Sequence, residues 1–161
     1  MILDDLLQQQ FVHQRLGVPV VVVQVAHRHL TLLDQYAVGD ARRDTGRRVA
    51  RYDKIHLFGF QQGVERYDES ATIEAGSDVV TFEAPCGSVG LSICYDLRFP
   101  EIFRAMGEVS LIVLPAAFTY TTGRAHWEVL LRARAIENQC YVLASAQGGV
   151  HAGGRRTWGD S

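Results

Sequence analysis

The chain has 161 residues, of which 47% are hydrophobic and 21% charged, so its composition is that of one folded domain and excludes a disordered tail, a collagen-like repeat and a coiled coil. Sixteen basic and eighteen acidic side chains give a net charge of −2. Because basic residues are not in excess, the charge does not point to a nucleic acid or an anionic membrane as partner. Its apolar runs are too short to span a bilayer, and the N-terminus lacks the pattern of a signal peptide. Three cysteines without paired spacing indicate reduced thiols, as in a cytoplasmic protein.

The first half of the chain predicts a helix, three strands and two polar segments. The run Val18–Val25 is rich in β-branched residues, which is typical of a strand buried on both faces. Gly39 and Gly46 are turn signals beside a polar segment. In chain order we predict a helix over 3–15, strands over Val18–Val25 and Leu30–Val38, a polar segment over Asp40–Arg48, a strand over Val49–Phe58 that runs into a loop, and a loop over Gly59–Ser77.

The second half alternates strands and helices more regularly. This alternation implies parallel strand pairing through right-handed crossovers. Because the strands before Val79 alternate less clearly with helices, we expect a mixed sheet and an α/β fold. The predicted elements are strands over Val79–Glu83 and Ser88–Cys94, a helix over Pro100–Met106, a strand over Leu111–Leu114, a helix over Ala125–Gln139 and a strand over Cys140–Ala146.

Cys94 lies at the end of a predicted buried strand, a few residues before a predicted helix. In open α/β sheets, reactive groups gather at the carboxyl ends of the strands. A thiol there faces a crevice and nearby backbone N–H groups, which suits a nucleophile. The alternative is that Cys94 is a small core residue, because free cysteine is usually buried. Its position alone leaves both interpretations open.

Lys54 is the only lysine in the chain, because the other fifteen basic residues are arginines. A lysine places a compact positive charge beside a carbonyl oxygen, although a surface lysine is the simpler interpretation. Two glutamates are candidates for a general base. Glu69 follows Lys54 in a predicted loop, and Glu128 lies in the first turn of a predicted helix. Each position also suits a solvated carboxylate.

The sequence predicts neither a metal nor a nucleotide cofactor. His56, His126 and His151 lack the spacing of a zinc site, and no paired-cysteine motif accompanies them. The glycine pairs at Gly148 and Gly153 follow a predicted strand, but they belong to no phosphate-binding motif.

Several stretches of the sequence occur in the same order as the conserved segments of one known family. They are Arg51–Phe58, Ile93–Glu101, Pro115–Phe118, Thr122–Val142 and Ala146–Gly149. They resemble the nitrilase superfamily of carbon–nitrogen hydrolases, and most closely its Nit-type branch, which contains the ω-amidases and the deaminated-glutathione amidases. The resemblance is strong over residues 46–161 and loose over residues 1–45.

The resemblance implies one carbon–nitrogen hydrolase domain over residues 1–161, with the α-β-β-α sandwich of that family, incomplete at both ends. It implies hydrolysis of a small carboxamide to a carboxylate and ammonia, through a cysteine thioester and without a cofactor. The partner is then a small-molecule amide, and the family's dimerisation implies a homo-oligomer.

The resemblance also assigns roles to individual residues. Cys94 is the nucleophile, and Lys54 is the lysine of the family's Glu–Lys–Cys triad. Glu69 matches a second, supporting glutamate. The Tyr95 backbone N–H and the Lys54 ammonium form the oxyanion hole. Structural or site-wall roles are implied for the remaining matches: Glu128, His126 and Arg98.

One residue of the family pattern has no counterpart here. The family's general-base glutamate lies well upstream of the lysine, whereas all eight glutamates of this chain lie at or after Glu65. Two functions therefore stand: an amidase of the carbon–nitrogen hydrolase class, or a catalytically inactive remnant of the same fold. A different cysteine-dependent α/β protein is a third, which Lys54 and the His-Trp-Glu helix disfavour.

Overall fold

The computed structural model describes residues 21–26, 38–43, 47–62, 65–151 and 154–159. These residues fall into two compact units, which divide between Asp78 and Val79. The predicted helix over 3–15 lies outside the described residues, as does the predicted strand Leu30–Val38 except for its last residue.

The first unit contains an antiparallel meander of β1 (Val21–Ala26), β2 (Val38–Arg43) and β3 (Arg48–Asp53). The register pairs Val21 with Arg43 and Val38 with Asp53. The prediction of a polar turn segment from Asp40 was therefore wrong over its first four residues, because these form most of β2. A strand that pairs on both sides satisfies its backbone N–H and C=O groups, and this gain outweighs its polar composition.

A hairpin follows, in a region that we predicted to be a loop. Its strands are β4 (Gly59–Gln62) and β5 (Glu65–Asp68), and a short 3₁₀ turn begins at Glu69. Phe60 and Tyr67 are direct cross-strand partners whose ring centroids lie 6.4 Å apart. Phe58 extends the cluster, with its ring centroid 6.2 Å from each of the other two. Cross-strand aromatic pairs stabilise hairpins, which explains why glycine, glutamine and charged residues form strands here.

The second unit is built on a four-stranded sheet. Its strands are β6 (Thr81–Ala84), β7 (Gly87–Leu91), β8 (Leu111–Ala116) and β10 (Tyr141–Ala146), in the spatial order β10-β8-β7-β6. Strands β7, β8 and β10 are parallel, and β6 joins them antiparallel, so the predicted mixed sheet is confirmed. The central strand β8 is almost entirely buried, as its apolar sequence indicates.

Two helices accompany this sheet, α1 (Pro100–Ala105) and α2 (Tyr120–Asn138). Helix α2 begins five residues before the predicted start at Ala125, although its first turn holds threonines and a glycine. Tertiary packing against Trp158 holds this turn. The Trp158 side chain lies so close to Gly123 that a Cβ there would overlap it, and the Tyr120 ring packs edge-on against the Trp158 ring. Neither described helix has the length and hydrophobicity of a bilayer span.

A small sheet covers the start of α2. It consists of β9 (Phe118–Thr119), β11 (Gly149–Val150) and β12 (Arg156–Trp158), with β12 between the other two. Trp127 of α2 is buried, with its ring 4.9 Å from that of Phe118. This packing joins the helix to the end of β8, at the same edge of the sheet as the segment that follows β7.

Candidate active site

Lys54 is a buried cation at the end of β3. Its side chain is 1% exposed, and its Nζ lies 2.5 Å from Glu69 Oε2. The structure therefore places Lys54 and Glu69 in direct contact. Burying an ammonium group is costly unless a partner compensates it, so the surface-lysine interpretation of Lys54 is excluded.

Glu69 is itself held in place. The same Oε2 atom accepts a hydrogen bond of 2.8 Å from the Phe58 N–H, and the Glu69 N–H donates to the Phe58 carbonyl at 3.0 Å. The carboxylate therefore receives one charged and one neutral donor on a single oxygen. Because the Glu69 carboxylate is fixed in this way, it orients the Lys54 ammonium group.

The backbone on both sides of Lys54 is also tied. The Lys54 carbonyl accepts a hydrogen bond of 2.9 Å from the Gly76 N–H. The buried Tyr52 side chain accepts one of 3.1 Å from the Ile55 N–H through its hydroxyl oxygen. The corner at which β3 becomes a loop thus has two anchors that are distant from each other in sequence.

Gly76 is the position in this corner that is most sensitive to a side chain. A Cβ there would overlap the Asp53 carbonyl oxygen. We expect Gly76→Ala to lower the free energy of unfolding by about 1–3 kcal/mol, because the clash involves backbone that cannot rotate away. Denaturant unfolding measures this. Gly59→Ala is the matched control, since a Cβ at Gly59 meets no atom within 4 Å; an equal loss in both variants would contradict the clash.

Cys94 follows β7 after two residues and begins a short 3₁₀ helix, Cys94–Arg98. Its φ is +49°, in the left-handed region that side chains disfavour. Among the described non-glycine residues only Gln139 shares a positive φ, and Gln139 caps the end of α2, where this conformation is common. Left-handed backbone that does not cap the C-terminus of a helix is concentrated at functional sites.

The strained residue is held by its neighbours. The Ser92 N–H and hydroxyl both donate to the Val113 carbonyl, each at 3.1 Å, which joins the end of β7 to β8. The fully buried Asp96 accepts a hydrogen bond of 2.8 Å from the Ile93 N–H. Sequence reasoning assigned no role to Ser92 or Asp96. The signal for Asp96 was its place three residues after Ile93 at the start of a turn, where aspartate commonly caps backbone N–H groups.

The other residues predicted for the site fall into two groups. Arg98 Nη1 lies 3.2 Å from His126 Nδ1, and the Arg98 guanidinium lies 5.2 Å from the centre of the Phe118 ring. Glu128 is exposed instead and forms an ion pair of 2.5 Å with Arg132, one turn later on α2. The structure therefore brings Arg98 and His126 together and directs Glu128 toward solvent.

The three cysteines have different surroundings. Cys86 is exposed in the turn between β6 and β7, and Cys94 and Cys140 are half-buried. Burial raises the pKa of the Cys140 thiol, so less of it is thiolate at a given pH. The described residues contain no group of three His, Cys, Asp or Glu side chains that could bind a metal ion.

We expect Cys94 to be alkylated first of the three thiols at neutral pH. It lies at the start of a turn whose first N–H groups favour a negative charge, whereas Cys140 requires a higher pH because burial raises its pKa. Brief treatment with iodoacetamide, followed by peptide mass spectrometry, tests the order. Faster labelling of Cys86 or Cys140 in the folded protein would contradict it.

Comparison with protein families and curated proteins gives a consistent picture. Residues 14–161 match the family described as carbon–nitrogen hydrolase. The deaminated glutathione amidase of Yersinia enterocolitica is 52% identical over 118 residues, which is 71% of this chain and 41% of that protein. The enzyme of the same name from Dictyostelium discoideum is 46% identical, over 70% of this chain and 40% of that protein. The chain thus spans about two fifths of the length of these relatives.

Solved structures show the same likeness. The NitFhit protein of C. elegans superimposes with a TM-score of 0.71 at 45% identity, over 79% of this chain and 32% of that one. Nit3 of Saccharomyces cerevisiae, a member of the nitrilase superfamily, superimposes with a TM-score of 0.63 at 26% identity, over 86% of this chain and 48% of that one. These matches confirm the predicted α/β fold class of nitrilase type.

Proposed function

The chain belongs to the carbon–nitrogen hydrolase family, and from that premise we propose that Cys94 carries out nucleophilic attack on the carbonyl of a small carboxamide. The observation that carries the proposal is the backbone of Cys94, which has a φ of +49° and follows, after two residues, the strand β7 that pairs in parallel with β8. A strained turn of this kind lifts a nucleophile out of the sheet and sets it beside backbone N–H groups.

Acylation is the first half of the proposed reaction. The Cys94 thiolate forms a bond to the amide carbon, and the negative charge moves to the carbonyl oxygen. The Tyr95 backbone N–H and the Lys54 ammonium are proposed to stabilise that oxygen. The C–N bond then breaks as the nitrogen takes up a proton, and ammonia leaves. The acyl group of the amide remains on the sulfur as a thioester.

Deacylation completes the cycle. Water attacks the thioester carbon, the C–S bond breaks, and the products are a carboxylate and the free thiol. A base must take a proton from water in this step, and an acid must give one to the nitrogen in the first. Glu69 is poorly suited to both tasks, because its Oε2 is already bonded to Lys54 Nζ and to the Phe58 N–H. We propose that Glu69 is a supporting residue that orients the lysine.

The second candidate function is an inactive remnant of the same fold. It is favoured by one property of the sequence, since residues 1–64 contain no glutamate to serve as the family's general base. Without that group, acylation can still occur slowly but turnover stops at the thioester.

One experiment separates the two functions. The chain is incubated with succinamate, and released ammonia and the intact mass of the chain are both measured. Continued ammonia release supports an amidase with a complete set of acid–base groups. A single equivalent of ammonia with an acyl adduct on Cys94 supports the second function, in which the nucleophile is competent but turnover stops at the thioester. The absence of both ammonia and adduct would contradict the proposed role of Cys94. We expect at most one equivalent.

The identity of the amide is a separate question. The relatives from Yersinia and Dictyostelium are named for deaminated glutathione, which is therefore the second compound to test after succinamate. A small-molecule amide as the partner, assembly into a homo-oligomer and a cytoplasmic location stay predictions that rest on the sequence.

A further inference from the structure

Arg134 is a buried arginine, and all three nitrogens of its guanidinium donate hydrogen bonds. It lies on α2 and is 5% exposed. Its Nε and Nη2 atoms both donate to the Leu97 carbonyl oxygen, at 3.1 and 2.9 Å. Its Nη1 atom donates to Glu137 Oε1 at 2.7 Å, and the guanidinium lies 5.3 Å from the centre of the Phe103 ring. A buried cation held this closely specifies the geometry of what it binds.

The Leu97 carbonyl needs this donor because of the residue that follows the turn. Leu97 belongs to the 3₁₀ turn that begins at Cys94, and in a 3₁₀ pattern its carbonyl would bond to the N–H three residues later. That residue is Pro100, the first residue of α1, which has no N–H. Leu97 is fully buried, so water is a poor substitute. Two N–H groups of Arg134 take the place of the missing backbone donor.

This contact fixes the far end of the turn that carries Cys94. The near end is fixed by Ser92 and by the hydrogen bond from the Ile93 N–H to Asp96. We propose that Arg134 is a positioning residue for Cys94: by holding the Leu97 carbonyl, it keeps the Cys94 backbone strained and its thiol reactive. The inference deepens the proposed function, on which it rests for the role of the thiol, but it concerns a property that can be measured without an amide substrate.

The test compares Arg134→Lys with Arg132→Lys. Lysine at position 134 keeps the charge but loses the fork that bridges to one carbonyl. Arg132 is the matched control, because it lies on the same helix with its side chain 74% exposed. The readout is the iodoacetamide labelling rate of Cys94 divided by that of Cys86 in the same molecules, measured against pH. Cys86 is an internal standard in a different turn.

We expect Arg134→Lys to lower this ratio by about tenfold and to move the midpoint of the Cys94 pH profile upward. Arg132→Lys should change neither. A loss of thermal stability in Arg134→Lys with an unchanged ratio and midpoint would show a merely structural role and overturn the proposal. Amidase activity does not enter this readout, so a failure of the proposed function would be seen separately, in the succinamate experiment.

A second variant covers the case in which Arg134→Lys does not fold. Glu137→Gln removes the charged partner that orients the Arg134 guanidinium, so the two bonds to the Leu97 carbonyl are held less firmly. Because Glu137 is only half-buried, the variant is expected to fold. The labelling ratio should fall about threefold, and a ratio equal to that of the unaltered chain would overturn the proposal.

Discussion

Replacement of Cys94 by serine is expected to abolish thioester formation with succinamate, lowering the rate of acyl-adduct formation by at least about 10³-fold. A serine hydroxyl is far less acidic than a thiol, so it is not a nucleophile without a strong general base. Serine has nearly the same size as cysteine and meets the same backbone strain at a φ of +49°, so the fold should be retained.

Two measurements accompany this variant. The unfolding midpoint should equal that of the unaltered chain, which excludes misfolding as the cause of the loss. Cys86→Ser is the matched control, since Cys86 is exposed in the turn between β6 and β7 and should leave acylation unchanged. An adduct formed by Cys94→Ser at the original rate would show that another residue is the nucleophile.

Replacement of Lys54 by methionine is expected to have the second large effect. The variant keeps the volume of the buried side chain but leaves the Glu69 carboxylate without its cation. Loss of one partner of a buried ion pair costs about 3–5 kcal/mol. Because the Glu69 side chain is 26% exposed, solvent compensates part of this, and we expect the free energy of unfolding to fall by about 2–3 kcal/mol.

Under the proposed role of Lys54 as a donor to the oxyanion, the same variant should slow acylation by about 10²–10³-fold, the usual loss for one such donor. The loss of stability and the loss of acylation rate are separated by measuring acylation at a temperature well below the unfolding midpoint of the variant. Glu69→Gln then completes a double-mutant cycle, because glutamine keeps a carbonyl oxygen for the Phe58 N–H but carries no charge. The stability loss of the double variant should be smaller than the sum of the single losses. An additive result would mean that the Lys54–Glu69 pair contributes nothing.

The second unit follows the sequence prediction closely. Strand β7, helix α1, strand β8 and strand β10 all begin within one residue of their predicted positions. Each is indicated by short-range features: an apolar run for β8, and a proline with a glutamate at the start of α1. Features of this kind act between residues that are neighbours in sequence, so they are visible before the chain folds.

The first unit was harder to predict, for a physical reason. Strand β2 and the hairpin of β4 and β5 have polar sequences, and they are strands because of the segments that pair with them. Ladder hydrogen bonds and cross-strand aromatic contacts depend on which segments meet, and periodicity within one segment does not contain that information.

In the candidate site, too, some features follow from the sequence and others from tertiary packing. The sequence by itself determined that a cysteine follows a buried strand and that a single lysine ends another, and the family resemblance paired Glu69 with that lysine. Only the tertiary structure decided that Lys54 is buried, that the Cys94 backbone is strained, and that Arg134 holds the turn from 37 residues away. Burial and strain are properties of packing, because a residue accepts an unfavourable conformation or a buried charge only where distant segments supply the bonds that compensate it.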